Sequence, residues 1–200
     1  MRTSILFSLT FLFLLSCNKD ENKNDNVTIN DDDKQGLIYT RQEEKLAYDV
    51  YRYAFDKYGL SIFDNISNSE STHQSKVIQL LEKYNIPDPI VNVERGVFDD
   101  THLQELYIQL VKKVDISLVD ALEVGATIED LDIYDIMELY TITKNADIKN
   151  VYESLICGSR NHLRGFTSQL TSRDFNYSPQ FITPDLYQTI LSGSHENCGN

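Results

Sequence analysis

From Ile38 to Leu170 apolar side chains recur at alternating steps of three and four residues, with few glycines and only Pro87 and Pro89 as prolines. That spacing lines one stripe of an α-helix and does not suit the two-residue alternation of a half-buried strand. The chain is expected to be all-α, with one domain of ordinary size. Thr40 with Glu43 three residues later has the form of a capping box, so a first helix is expected over about residues 41 to 58, stopped by Gly59. A second runs from Ser61 to Tyr84, ahead of Pro87-Asp88-Pro89. Ser117 caps a third that reaches about Tyr140, and Asn145-Ala146-Asp147 leads into a fourth ending near Leu170. A short amphipathic helix around His102 to Lys113 sits between the second and third. The bundle so defined covers residues 36–172, and residues 173–200, with Pro179 and Pro184, form a tail with room for one more short helix.

The stripes contain exceptions. Helix 1 reads Glu44, Ala47, Tyr51, Ala54, Tyr58, and helix 2 reads Ile62, Ile66, Glu70, His73, Val77, Leu80, Tyr84. Helix 3 gives Leu118, Leu122, Gly125, Glu129, Asp132, Ile136, Leu139, and helix 4 gives Ile148, Tyr152, Leu155, Ser159, His162, Phe166, Leu170. Glu44 and His73 are equally far from the turn at Gly59, and Glu129 with His162 and Asp132 with Ser159 are equally far from the turn at Asn145-Ala146. In an up-down-up-down bundle both turns lie at one end. At ~1.5 Å rise per residue the polar groups then meet in one layer about 20 Å below it.

Isolated carboxylates in a dry core cost several kcal/mol and are kept when paired or bound to a cation. Glu70 and His73, one turn apart, form the Glu-x-x-His arrangement of carboxylate-bridged di-iron or di-manganese bundles. Oxygen and imidazole ligands suit iron or manganese, so the candidate metal ligands are Glu44, Glu70, His73, Glu129, Asp132 and His162. Other readings stand beside this one. Glu70 and His73 could form a polar core pair with Tyr51 or Ser159, and Glu129 and Asp132 could pair with Arg160 or Arg164. Of the neighbours Glu43 and Glu44, one is expected inside and the other in solvent or at a cap.

The stretches EEKLAYDVY (Glu43 to Tyr51), FDNISNSESTH (Phe63 to His73), LEKYNIPDP (Leu81 to Pro89), GATIEDLDI (Gly125 to Ile133) and VYESLICGSRNHLRGF (Val151 to Phe166) resemble ferritin-like proteins. More closely, they resemble the bacterial domain-of-unknown-function family 2202 within that superfamily. The resemblance covers nearly the whole domain and implies a ferritin-like four-helix bundle with a metal site; it implies no particular reaction. Matched residue by residue, Glu44 and Glu129 correspond to the single glutamates, Glu70 with His73 to the first Glu-x-x-His, and His162 to the second histidine. Ser159 stands where the second pair has its glutamate, and Asp132 could supply that carboxylate from another helix. With Glu70 and Glu129 as bridges and His73 and His162 as terminal ligands, the site could reduce oxygen or peroxide, given an electron donor. Metal binding without turnover and a polar packing layer in an interaction module are the other classes. Catalytic residues are not assigned.

Residues Met1 to Ser16 have a basic start and a short apolar run, as in a secretory signal, and Leu14-Leu15-Ser16-Cys17 resembles the bacterial lipoprotein box. Cys17 is the expected lipidation site, which puts the protein in the cell envelope, lipid-anchored in the outer membrane, at its periplasmic face or at the cell surface. Asn18 to Gln35, rich in Asp, Asn and Lys, is expected to be a flexible tether. A net charge of -13 argues against a nucleic-acid partner, and a homodimer is left open. Cys157 and Cys198 could pair in an oxidising compartment.

Overall fold

The computed structural model describes residues 29–199. The leader and Cys17 expected from the sequence lie outside them. The described residues form six helices and no strand: α1 (Asp31–Tyr58), α2 (Ser61–Lys83), α3 (Thr101–Val114), α4 (Leu118–Ile142), α5 (Ala146–Thr171) and α6 (Pro184–Ser192). No helix among them is long and apolar enough to cross a membrane.

The first helix begins ten residues before the expected start. Asn30 is its cap, accepting from the backbone N–H of Asp33, and Asp31, Asp32 and Asp33 place negative charge at the positive end of the helix. Thr40 instead donates its hydroxyl to the Gly36 carbonyl in mid-helix, so the Thr40/Glu43 pattern caps nothing. The end of the expected tether, residues 31–35, is therefore helical. Gly59, at φ 63, closes α1 and turns the chain directly into α2. Ser117 and Asn145 cap α4 and α5 as their sequence positions suggest.

Four long helices form a ring in which α1 packs on α2 and α4, and α5 packs on α4 and α2. The order of directions differs from up-down-up-down. The C-terminal end of α1 lies beside the start of α4, where Tyr58 donates to the Val114 carbonyl at 2.7 Å. The end of α2 lies beside the α4/α5 turn, where Asn145 donates to the Tyr84 hydroxyl at 2.8 Å. The segment from Tyr84 to Ser117, including α3, thus runs the length of the bundle, so α4 is parallel to α2 and the two tight turns lie at opposite ends. A buried pair holds this crossover: Lys45 meets Asp49 at 2.5 Å and the Glu94 carbonyl at 3.0 Å, while Asp49 accepts from the Gly96 N–H. The polar layer survives the change of topology for a simple reason. Helices of 23 to 28 residues are about 35 to 42 Å long, so a level about 20 Å from either end is the middle.

Apolar clusters fill the bundle on both sides of that level. One joins Ala54, Phe63, Leu122 and Phe166, and the other joins Leu37, Val77, Ile136 and Leu155. The chain after α5 packs back on this core. Asp130, fully buried, accepts from the Tyr177 hydroxyl at 2.8 Å and from the backbone N–H groups of Gln180, Phe181 and Ile182. This leads into α6, whose Tyr187 and Ile190 are buried. Cys157 of α5 and Cys198 are joined by a disulfide.

Candidate metal centre

The ring brings one short polar segment from each long helix to mid-height. Glu44 comes from α1, Glu70 and His73 from α2, Glu129 from α4 and His162 from α5, all buried. Two groups of three ligand atoms converge there: Glu44, Glu70 and His73, and Glu70, Glu129 and His162. Glu70 belongs to both. Its Oε2 lies 2.9 Å from His73 Nδ1, and its Oε1 lies 2.9 Å from His162 Nδ1. Glu44 Oε2 is 3.3 Å from His73 Nδ1, and Glu129 Oε2 is 3.3 Å from His162 Nδ1.

Each Nδ1 therefore faces two carboxylate oxygens yet carries at most one proton, which can point at only one of them. His73 is aligned for hydrogen bonding with Glu70 Oε2, and His162 with Glu129 Oε2. The oxygens left over, Glu44 Oε2 and Glu70 Oε1, are buried without a hydrogen-bond partner. A cation at each triad would meet an imidazole lone pair and two carboxylate oxygens at once, and would satisfy the orphaned atoms. The residues fit such an ion.

The electrostatics point the same way. Burial raises Glu44 to about 8 against the attraction of His73, and burial with the neighbouring Glu70 raises Glu129 although His162 opposes it. Burial also acts on Glu70, but the charges of His73 and His162 outweigh it and hold this carboxyl below its ordinary range. Burial would lower both histidines. Glu44 and Glu70 instead raise His73, and Glu129 and Glu70 raise His162 to about 10. Without metal the layer is thus held together by shared protons.

Asp132 joins neither triad, contrary to its expected role as the replacement carboxylate. It is buried toward α1, where it lines a small apolar cavity with Glu43, and its pKa is raised by burial and by Glu129, Glu43, Glu44 and Glu70. Glu43 and Glu44 are both buried, so neither is the solvent-exposed member expected of the pair. Glu129 is not placed to bridge, because its Oε1 accepts the Tyr51 hydroxyl at 2.6 Å and only Oε2 faces a histidine. Ser159 is buried and returns its hydroxyl to the Leu155 carbonyl. Arg160 and Arg164 turn away to bind Glu196.

Three supporting residues carry no motif of their own. Ser69 Oγ is 2.9 Å from His162 Nε2 and orients the ring. Tyr51 anchors Glu129. Gly158 makes room for His73, since a Cβ there would lie 2.4 Å from His73 Nε2. Ser69 was in principle findable, because Ser69 and His162 lie at matching levels once α2 and α5 are known to be antiparallel neighbours.

The chain is similar in sequence and fold to a known protein. The uncharacterized protein MJ0754 of Methanocaldococcus jannaschii, an archaeon, is 53% identical over 168 residues, covering 84% of this chain and 91% of that protein. The crystal structure of hypothetical protein MJ0754 superposes with a TM-score of 0.83 at 53% identity, covering 84% of this chain and 96% of that one. The family model described as uncharacterized protein domain (DUF2202) matches residues 33–194, a span that includes every helix but the first two residues of α1, and the chain belongs to that family.

Proposed function

We propose that this chain is a lipid-anchored ferritin-like protein that binds transition metal, two ions of iron or manganese, in its core, and that the loaded site reduces oxygen or peroxide. The observation that carries the metal reading is the doubly shared Glu70. Its two oxygens face two histidines, and each histidine faces a second carboxylate, with one proton available where two acceptors wait. Glu44, Glu70 and His73 would hold one ion and Glu70, Glu129 and His162 the other. A ring of four helices with one long crossover, carrying Glu, Glu-x-x-His, Glu and His at one level, supports the ferritin-like reading.

When bound, such ions supply redox equivalents and Lewis acidity. The chain's own residues have separate tasks. Tyr51 holds Glu129, Ser69 holds the outer nitrogen of His162, and the apolar clusters above and below close the layer along the bundle axis. The anchor and the envelope location rest on Cys17 and its preceding residues.

A non-catalytic metal-binding or interaction module is the second reading, favoured by Ser159, which leaves the layer one carboxylate short of the symmetric set. Metal content by mass spectrometry, on untagged protein reconstituted anaerobically with iron, manganese or zinc, tests the first. Two equivalents, lost in Glu70→Ala/His73→Ala, are expected. A loaded protein whose absorption spectrum ignores both oxygen and peroxide would be a binder without turnover, and an empty one would make the layer a packing device. A lipid-sized mass increase on the peptide beginning at Cys17, absent in Cys17→Ser, is expected of the anchor.

A further inference from the structure

Among the buried side chains of the polar layer, His162 is the most exposed, at 8 %. It and His73 form the floor of a cleft of about 410 Å³ between α2 and α5, together with Ser69 and Gly158. The far side of the layer offers a different surface. There a cavity of about 80 Å³ beside Glu43 and Asp132 is walled by Leu46, Leu106, Leu110 and Phe181, which a hydrated ion would cross only by shedding its water. The cleft over the histidines is larger and more polar than that cavity.

The C-terminal strap, residues 195–199, lines it as well. The strap is bound by more than its length would suggest. Cys198 is joined to Cys157, Glu196 accepts from Arg160 Nε at 2.9 Å and from Arg164 Nη2 at 2.6 Å, and Asn161 exchanges hydrogen bonds with the Glu196 backbone in both directions. The Cys198 carbonyl accepts from Ser154, and the Gly199 carbonyl accepts from Lys76 across the cleft on α2. All the other anchors lie on α5, so the strap bridges from one wall of the cleft to the other.

We propose that this cleft is the route by which hydrated ions and small polar solutes reach the carboxylate/histidine layer, and that the strap, locked by the Cys157–Cys198 disulfide, sets the rate of passage. The inference rests on the metal-binding reading for its purpose but not for its geometry. A dithiol would unlock the strap by transferring two electrons and two protons to the bridge, leaving thiols at Cys157 and Cys198 while itself closing to a cyclic disulfide. Once the bridge is open, the strap is held by the ion pairs and hydrogen bonds of Glu196 and by the hydrogen bonds to the Cys198 and Gly199 carbonyls, which open and close locally.

The test is the rate at which manganese-loaded protein yields its metal to excess EDTA, compared among the oxidised full chain, Cys157→Ser/Cys198→Ser, and Glu196→Ala with the disulfide intact. At equal initial metal content, release is expected to be about tenfold faster or more without the disulfide, with a smaller increase in Glu196→Ala. Equal rates in all three would overturn the proposal. A metal-free readout accompanies it: Ser69→Cys is alkylated by N-ethylmaleimide, followed at that residue by peptide mass spectrometry, with and without the two cysteine substitutions. Faster alkylation without the bridge supports the route, and identical alkylation rules it out. Should no variant hold metal, the functional reading fails while the alkylation comparison still decides the route.

Discussion

Glu70 on α2 reaches across the bundle to place Oε1 2.9 Å from Nδ1 of His162 on α5 while its other oxygen stays with His73 one turn away. One carboxylate therefore joins two histidines that are 89 residues apart in the chain but stacked with ring centroids 5.5 Å apart.

Loss of this shared carboxylate is expected to empty both triads. Glu70→Gln keeps the size of the side chain and removes its charge, so metal content should fall from two equivalents to near zero. Glu44→Gln, which touches one triad, should leave about one equivalent. Elemental mass spectrometry on both variants separates a shared ligand from an ordinary one.

The stability of metal-free protein should fall as pH rises. The folded state keeps a proton on Glu44 up to about 8, so that contribution is complete below the ordinary 4.5 and lost on the way to 8. The contribution of His162 is complete below 6.5 and lost as pH passes about 10. Both have the same sign, and melting temperature without metal should decline between about pH 5 and pH 9. Metal displaces these protons, so the rise in melting temperature on adding manganese should grow over the same range.

Gly158→Ala is expected to leave the helix intact and disable one triad. The added Cβ would lie 2.4 Å from His73 Nε2, and the ring must move. Alanine favours the helix by roughly 1 kcal/mol over glycine, so circular dichroism should be unchanged while metal content drops by about one equivalent.

Ser159→Glu completes the second Glu-x-x-His. Without metal it adds a carboxylate to a layer already short of cations, and a loss of about 1–3 kcal/mol is expected. With manganese the loss should be recovered or reversed. A thermal shift that is equally negative with and without metal would mean that position 159 does not face the ions.

Asp130→Ala removes the acceptor of three backbone N–H groups and the Tyr177 hydroxyl. Leaving such donors unmet costs about 1–3 kcal/mol each where they stay buried. Hydrogen exchange should rise over residues 177–190 with metal content unchanged, since Asp130 lies outside both triads.

Much of the site was legible from local pattern. Helical periodicity is a property of neighbouring residues, so the four stripes, the caps at Ser117 and Asn145, and the polar level with Glu44, Glu70, His73, Glu129 and His162 could be read without coordinates. The start of α1 could not, because Thr40-Glu43 and Asn30-Asp33 are both capping patterns and only the packing of Leu37 into the core selects the earlier one.

What the sequence by itself determined is which residues share a helical face and how far each lies from its turn, since both follow from rise and residues per turn. Only the tertiary structure decided the course of the crossover after α2, and with it the parallel pairing of α2 and α4. It also decided that Asp132 lines a cavity beside Glu43 and joins neither triad, that Tyr51 takes one oxygen of Glu129, and that the strap lines the cleft at the histidines. These depend on the rotation of each helix about its axis and on contacts between residues far apart in the chain, and no local periodicity encodes either.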